Sequence, residues 1–259
     1  MKNIQIKGKI IGKGRPKVCV PITGCTDEEI IAQANQIVEL SKKSQIDIVE
    51  FRGDYYNYLN DFDKLCYVLK YLKKVLSDII LLFTIRSNNE GGEELSFSSP
   101  EIFEINEYVI ANELADMVDV ELNSGTEIVE RQVSLARNHN IKVIISNHDF
   151  NTTPSRDEIL KRLCLMQDIG ADIAKIAVMP KNKKQVMELL MATLDMEERA
   201  RIPIVTISMG EIGLISRMCG QFTGSTITFA TVCEASAPGQ IPVSELQEAL
   251  GILDKYCNK

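Results

Sequence analysis

Residues 142–179 read KVIISNHDFNTTPSRDEILKRLCLMQDIGADIAKIAVM, and this stretch decides the fold. Two short apolar runs, Val143-Ile144-Ile145 and the segment Ile173 to Val178 around Lys175, flank a helical segment from Ser155 to Ile169. β-branched runs of this length suit buried strands, and strand, helix, strand in succession is the unit of a parallel sheet. The first run leads into Ser146-Asn147-His148-Asp149, with one of the chain's two histidines. The second holds a lysine, and an ammonium buried without a partner is strongly disfavoured. Lys175 therefore either has a partner or sits where its proton affinity is lowered for use.

Outward from this stretch the same unit repeats. Strands are predicted at 18–22, 47–51, 79–85, 117–121, from 142, at 173–178, 204–208 and 227–229. Helices are predicted between and after them, at 27–43, 62–76, 100–113, 127–139, 155–169, 183–201, 212–219 and 242–256. Thr26 or Asp27 suits the first N-cap, Leu65, Leu69, Leu72 and Leu76 share one helical face, and Pro100 suits a first helical position. Strands each followed by a helix fit one (β/α)8 TIM barrel, a single domain over residues 1–259. Ile4 to Ile11 alternates apolar and polar around Gly8, which predicts a short N-terminal β-hairpin outside the repeat. A doubly wound sheet is the alternative, but its first strand-to-helix turn would carry a glycine-rich phosphate loop that this chain lacks.

The 259 residues are 45% hydrophobic and 25% charged, the balance of a soluble globular protein. A net charge of -7 argues against a general nucleic-acid or anionic-membrane surface, while leaving room for a local basic cluster that takes an anionic small molecule. No apolar run reaches the roughly 18 residues of a membrane helix, and the basic N-terminus lacks a signal-peptide apolar core. The seven cysteines are scattered, with no CxxC pair, and read as free thiols in a reducing cytoplasm. Two histidines offer little to a structural zinc, and no metal is expected.

In a barrel of this kind the active site lies at the C-terminal ends of the strands. Those ends carry Glu50-Phe51-Arg52, Thr84-Ile85-Arg86, Glu121, His148, and Ser208-Met209-Gly210 with Arg217 in the following turn. The sixth strand bears Lys175, and the segment from Cys233 to Gln240 follows the eighth. Each residue alone has a plainer reading: Glu50 and Arg52 as a structural ion pair, His148 as a hydrogen-bonded core residue, Met209 as packing. Packing alone would not gather so many charges at one end. A buried lysine beside a histidine permits Schiff-base catalysis. An amine attacks a carbonyl only when unprotonated, and burial with nearby arginine charges would favour that form. The iminium acidifies the adjacent carbon, a neutral histidine suits that proton, and arginines suit a carboxylate or phosphate.

These segments resemble the type I 3-dehydroquinate dehydratases over essentially the whole chain. The resemblance rests on Glu50-Phe51-Arg52, Phe83-Thr84-Ile85-Arg86 followed by Glu90-Gly91-Gly92, and Ser146-Asn147-His148-Asp149-Phe150 followed by Thr153-Pro154. It extends to Lys175-Ile176-Ala177-Val178-Met179-Pro180, Ser208-Met209-Gly210 and Ser236-Ala237-Pro238-Gly239-Gln240. It implies that Lys175 forms an imine with the C3 carbonyl of 3-dehydroquinate. By the same resemblance His148 removes the C2 proton and then protonates the departing C1 hydroxyl, and Glu90 orients His148. Arg217 is implied for the substrate carboxylate, and Glu50, Arg52, Arg86, Ser236 and Gln240 for the ring hydroxyls and carbonyl region. Met209 and Phe229 would wall the pocket, the loop over 233–240 would be its lid, and the hairpin would close the barrel bottom. No cofactor is implied; a cytoplasmic homodimer is. Ala230 stands where many members have glycine, which bears on the lid hinge, and Cys219 and Cys233 are expected near the mouth. A class I aldolase on the same barrel, or a small-acid-binding barrel without chemistry, are the competing readings.

Overall fold

The computed structural model describes residues 3–94, 99–232 and 236–257. The expected hairpin is present as β1 (Ile4–Ile6) and β2 (Lys9–Ile11), with Lys7 and Gly8 at positive φ as a type I′ turn requires. The barrel strands are β3 (Lys17–Ile22), β4 (Ile48–Arg52), β5 (Ile80–Thr84), β6 (Met117–Glu121), β7 (Lys142–Asp149), β8 (Ile173–Val178), β9 (Ile204–Ser208) and β10 (Ile227–Phe229). They form one 8-stranded sheet in the order β10-β3-β4-β5-β6-β7-β8-β9, and every pairing is parallel. The ring closes where Ile204 bridges Ser225, just ahead of β10. This is the (β/α)8 barrel that the repeat predicts.

Helices α1 (Asp27–Ser41), α2 (Phe62–Val75), α3 (Ser99–Ala111), α4 (Thr126–Asn138), α5 (Arg156–Ile169) and α6 (Lys183–Arg199) return the chain between strands. Thr26 and Glu29 make a reciprocal capping box at α1, while Asp61 and Ser155 cap α2 and α5 through their side chains. The helix predicted at 212–219 is instead a 3-10 turn (Glu211–Gly213) followed by short α7 (Ile215–Met218) and α8 (Gly220–Thr223). Glycines at 210, 213, 220 and 224 break that region into turns, since each weakens helix continuation. Helix α9 (Val243–Cys257) follows the eighth barrel strand.

Strand side chains alternate between the barrel interior and the helical layer. On β8, Ala174, Ile176 and Val178 join the apolar layer beneath the helices, while Ile173 and Ala177 join the interior cluster. Lys175 lies between those last two on the inward face. The interior cluster stacks Cys19, Ile48, Ile80, Met117, Ile144, Val205 and Ile227 low in the barrel. Ile11 is fully buried within it, and Ile4 and Ile6 pack against it, so the hairpin closes the bottom.

At that bottom one arrangement recurs. Asp47, Asp116 and Asp172, each just ahead of its strand, accept the backbone N–H of Val18, Leu81 and Val143 on the neighbouring strand at 3.0, 2.8 and 2.9 Å. Each also faces a lysine: Lys9 at 3.6 Å, Lys7 at 2.7 Å and Lys142 at 3.0 Å.

Candidate active site

The opposite end of the barrel holds an open cleft of about 470 Å³, lined by Glu50, Arg52, Arg86, Glu90, His148, Lys175, Met209, Arg217, Phe229, Ser236 and Gln240. Every residue that the resemblance assigns to the site thus reaches one cleft, joined by Gly91, Phe150, Ala177, Ile207 and Ala237, while Glu121, also expected at this end, lines the adjoining groove. The period-2 geometry explains the convergence. Glu50 and Arg52 on β4, Thr84 at the end of β5, His148 on β7 and Lys175 on β8 occupy inward positions, with aliphatic residues below them on the same faces.

Lys175 is 3% exposed, and it has partners. Its Nζ lies 3.4 Å from Asp119 Oδ2, 3.8 Å from Glu50 Oε1 and 4.7 Å from the centroid of the Phe229 ring. The expected environment of neighbouring cations is therefore corrected: the nearest charged atoms are carboxylate oxygens. Asp119 was absent from the sequence-derived site, although Met117-Val118-Asp119-Val120-Glu121 carries the same anomaly as the Lys175 run, an ionisable group between two valines on a buried strand. Its Oδ1 accepts from Ser146 Oγ at 2.6 Å and from Arg86 Nη2 at 2.9 Å. Burial pushes the Asp119 carboxyl up, but the charges of Arg86 and Lys175 outweigh it and hold the group below the usual range.

Arg86 also donates from Nη1 to Glu121 Oε1 and to Ser146 Oγ, both at 2.9 Å. Arg52 forms a fork on Asp54, with Nε at 2.8 Å from Oδ1 and Nη2 at 2.6 Å from Oδ2. Asp54 further accepts the backbone N–H groups of Arg86 at 3.2 Å and Glu93 at 3.3 Å, so it ties the ends of β4 and β5 together. Nothing in the sequence distinguishes Asp54 from an ordinary loop aspartate: its pairing with Arg52, two residues earlier, depends on the turn at 53–55, and its backbone partners are remote. Glu50 accepts from Thr84 Oγ1 at 3.1 Å.

Glu90 arrives on a 3-10 turn (Asn88–Glu90) between β5 and α3. Gly91 ends that turn at φ 83°, and a side chain there would meet the Phe150 ring at 2.2 Å, so only glycine fits. Glu90 Oε2 lies 2.9 Å from both the backbone N and Nδ1 of His148. Oε1 accepts from Asn123 Nδ2 at 2.8 Å and from Asn147 Nδ2 at 3.3 Å. Burial, then the Glu121 charge, push the Glu90 carboxyl up to about 7, against the pull of Arg86. Burial, with Arg86, Lys175 and Arg52, pushes the His148 imidazole well below its ordinary value. The ring is therefore neutral, and because Glu90 Oε2 already accepts the His148 backbone N–H, an ionised Glu90 favours the tautomer with the proton on Nδ1, which leaves Nε2 as a proton acceptor.

Arg217 is 2% exposed and has no carboxylate partner among the described residues. Its Nη2 donates to the Pro238 carbonyl at 2.9 Å and its Nη1 to that of Phe229 at 3.5 Å, while Nε has no hydrogen-bond partner among the described residues. Burial alone pushes the guanidinium down to about 10. A buried cation with an open donor is suited to an anionic ligand. Ser236 and Gln240 bond each other, Ser236 N–H to Oε1 at 3.0 Å and Nε2 to Ser236 Oγ at 3.2 Å.

Residues 233–235 of the expected lid, including Cys233, lie outside the described residues. Ala230 donates its N–H to the Cys19 carbonyl at 2.9 Å in ordinary sheet fashion, so this position does not require glycine. Cys219 does not line the cleft; its neighbour Gly220 packs against Pro16 and Ser225 towards the barrel bottom, and burial raises the thiol's pKa. The expectation that Cys219 lies near the mouth is overturned, because α7 carries the chain away from it.

A sequence model of the family described as type I 3-dehydroquinase matches residues 18–256. A 3-dehydroquinate dehydratase of Clostridioides difficile (strain 630) is 44% identical over 258 residues, 99% of this chain and 99% of that protein. Its counterpart in Bacillus licheniformis is 43% identical over 255 residues, 98% of each. Among solved structures, the type I 3-dehydroquinate dehydratase of Clostridium difficile with covalent modified comenic acid superposes at a TM-score of 0.93, with 44% identity and 98% of each chain covered. The 3-dehydroquinate dehydratase of Geobacillus kaustophilus HTA426 superposes at 0.95, with 32% identity, covering 98% of this chain and 97% of that one.

Proposed function

The chain belongs to the type I 3-dehydroquinase family, and from that premise we propose that it dehydrates 3-dehydroquinate to 3-dehydroshikimate, a step of the shikimate pathway, through an imine on Lys175. The observation that carries this reading is the pairing, in one cleft, of a buried amine with a buried guanidinium that lacks an anion among the described residues. A substrate bearing both a ketone and a carboxylate would satisfy the two together.

Arg217 takes the carboxylate, which sets the ring across the cleft with its carbonyl towards Lys175 Nζ. The ammonium first gives up a proton, the free amine adds to the C3 carbonyl, and that proton, returned to the carbinolamine hydroxyl, lets it leave as water and leaves a protonated imine. From ammonium and ketone to iminium and water the positive charge is conserved at one place. Asp119 and Glu50, at 3.4 and 3.8 Å from Nζ, therefore hold the same charge before and after the step. The iminium withdraws electrons from C2, and neutral His148 removes a C2 proton through Nε2. The imidazolium so formed is stabilised by Glu90 at 2.9 Å. It then returns its proton to the C1 hydroxyl, which leaves as water as the C1–C2 double bond forms, and hydrolysis of the imine releases the product. Glu50, Arg52, Arg86, Ser236 and Gln240 hold the ring hydroxyls, and Met209 and Phe229 wall the apolar side.

With this reading go a single-domain, homodimeric enzyme of the cytoplasm that uses no cofactor. No helix among the described residues is long and apolar enough to cross a membrane. The test is to incubate the protein with 3-dehydroquinate and borohydride and to map the product by mass spectrometry. A reduced substrate-derived adduct on Lys175 is expected. Turnover without any trappable adduct, or an adduct on another lysine, overturns the imine assignment.

A further inference from the structure

A chain of hydrogen bonds leaves the cleft behind Glu90 and ends on a helix that touches no part of the pocket. Asn147 follows the inward-facing Ser146 on β7, and its amide is buried at 3% exposure. Its Nδ2 donates to Glu90 Oε1 at 3.3 Å, and its Oδ1 accepts from Arg162 Nη1, on α5, at 2.9 Å. Arg162 is in turn held by Glu158, one helical turn earlier, through Nε to Oε1 at 2.8 Å. Arg162 lies in the groove beside the cleft and does not line the cleft itself.

The direction of this chain is fixed at both ends. A guanidinium only donates, and a carboxylate only accepts. The amide between them therefore satisfies both neighbours in a single orientation; turned over, its NH2 would face N–H donors and its oxygen would face Glu90. We propose that Arg162 is a positioning residue: by donating to Asn147 Oδ1 it locks the amide NH2 onto Glu90 and so keeps that carboxylate ionised and turned on His148. The inference rests on the reading of His148 as the base and Glu90 as its support.

The groups that face Glu90 make this lock consequential. Arg86 on the β5 side is 3.9 Å away and favours the carboxylate. Glu121 and Asp119 on β6 oppose it, and His148 and the Asn123 amide complete the surroundings. Glu90, pushed up to about 7, is thus balanced near neutrality, where one donor more or less shifts its ionisation. When pH falls through that value Glu90 takes up a proton, its acceptor role towards His148 weakens, and kcat/KM should fall on the acid side.

The experiment is the pH profile of kcat/KM for 3-dehydroquinate, from about pH 5.5 to 9, in the wild type and in Arg162→Met, Arg162→Leu, Arg162→Lys and Glu90→Gln. The two apolar replacements guard against a folding defect in one of them, and thermal melts check both. Arg162→Met should move the acid limb up by about one pH unit, which reads as a roughly tenfold loss at pH 6 and less than about twofold at pH 9. Arg162→Lys, which keeps a donor, should restore the wild-type limb. An unmoved limb, or a loss equal at every pH, overturns the role given to Arg162. Glu90→Gln should erase the limb; if it persists there, the reading of Glu90 fails instead, and the two failures are distinct.

Discussion

The two ends of the barrel pair the same kinds of residue, partly exposed at the bottom apart from Asp47 and almost wholly buried at the top, and use them differently. At the bottom Asp47, Asp116 and Asp172 each accept a backbone N–H and pair with a lysine, Asp47 taking the Gln45 amide as well, and the demand closes within the protein. At the top Asp119, Glu50, Glu90 and Glu121 share Arg86, Lys175 and His148 among them, and Arg217 is left with an open Nε. The bottom groups repeat at the start of alternate strands and fasten the sheet. The top groups converge from different strands on one volume, and their demand is completed only by something that enters it. Charge alone does not separate a structural ion pair from a reactive one. Whether the partners are exhausted does.

The comparison breaks most visibly at Lys175. Lys175→Ala should lower kcat by at least about 10⁴-fold and abolish the borohydride-trapped adduct, since no other group in the cleft is a nucleophilic amine. A residual rate within about a hundredfold of wild type would mean that the lysine is structural like those of the bottom. His148→Ala comes next, at about 10²–10⁴-fold in kcat, with the imine still formed and accumulating under single-turnover conditions. Normal breakdown of that adduct would move the proton transfer elsewhere. Arg217→Ala should raise KM about 10- to 100-fold, the worth of a charge-assisted pair, with kcat within a few-fold. An unchanged KM would mean that the open guanidinium is not the carboxylate site. The smallest effect belongs to the other end. Asp116→Asn should lower stability in urea by about 1 kcal/mol through loss of the Lys7 pair, with kcat/KM unchanged. A loss of activity greater than that of Arg217→Ala would erase the distinction between the ends.

The fold was legible because it depends on local signals repeated along the chain. Apolar period-2 strands, capped amphipathic helices such as α1 and α5, and the alternation around Gly8 each indicate an element without knowledge of its neighbours. The seventh helix departs from its expected span because four glycines over 210–224 compete with the apolar pattern there. In the site, Lys175 and His148 stood out as polar residues at the ends or middle of apolar runs. Asp119, between Val118 and Val120, carries the same signal. Asp54, Asn147 and Arg162 carried none: each acts by bonding a residue far away in the chain, Asp54 to Arg86 and Glu93, Asn147 to Glu90, and Arg162 to Asn147 across the β7–α5 turn.

By itself the sequence determined the barrel, its hairpin, and which residues end at the reactive face, since strand periodicity assigns a side even when the partner is unknown. Only the tertiary structure decided the electrostatics. It placed two carboxylates beside Lys175 where cations were expected, set Glu90 on a turn beside His148, and left Arg217 without a carboxylate among the described residues. The reason is that Coulomb and hydrogen-bond terms fall steeply with separation and depend on burial, and both are fixed by which strands lie side by side.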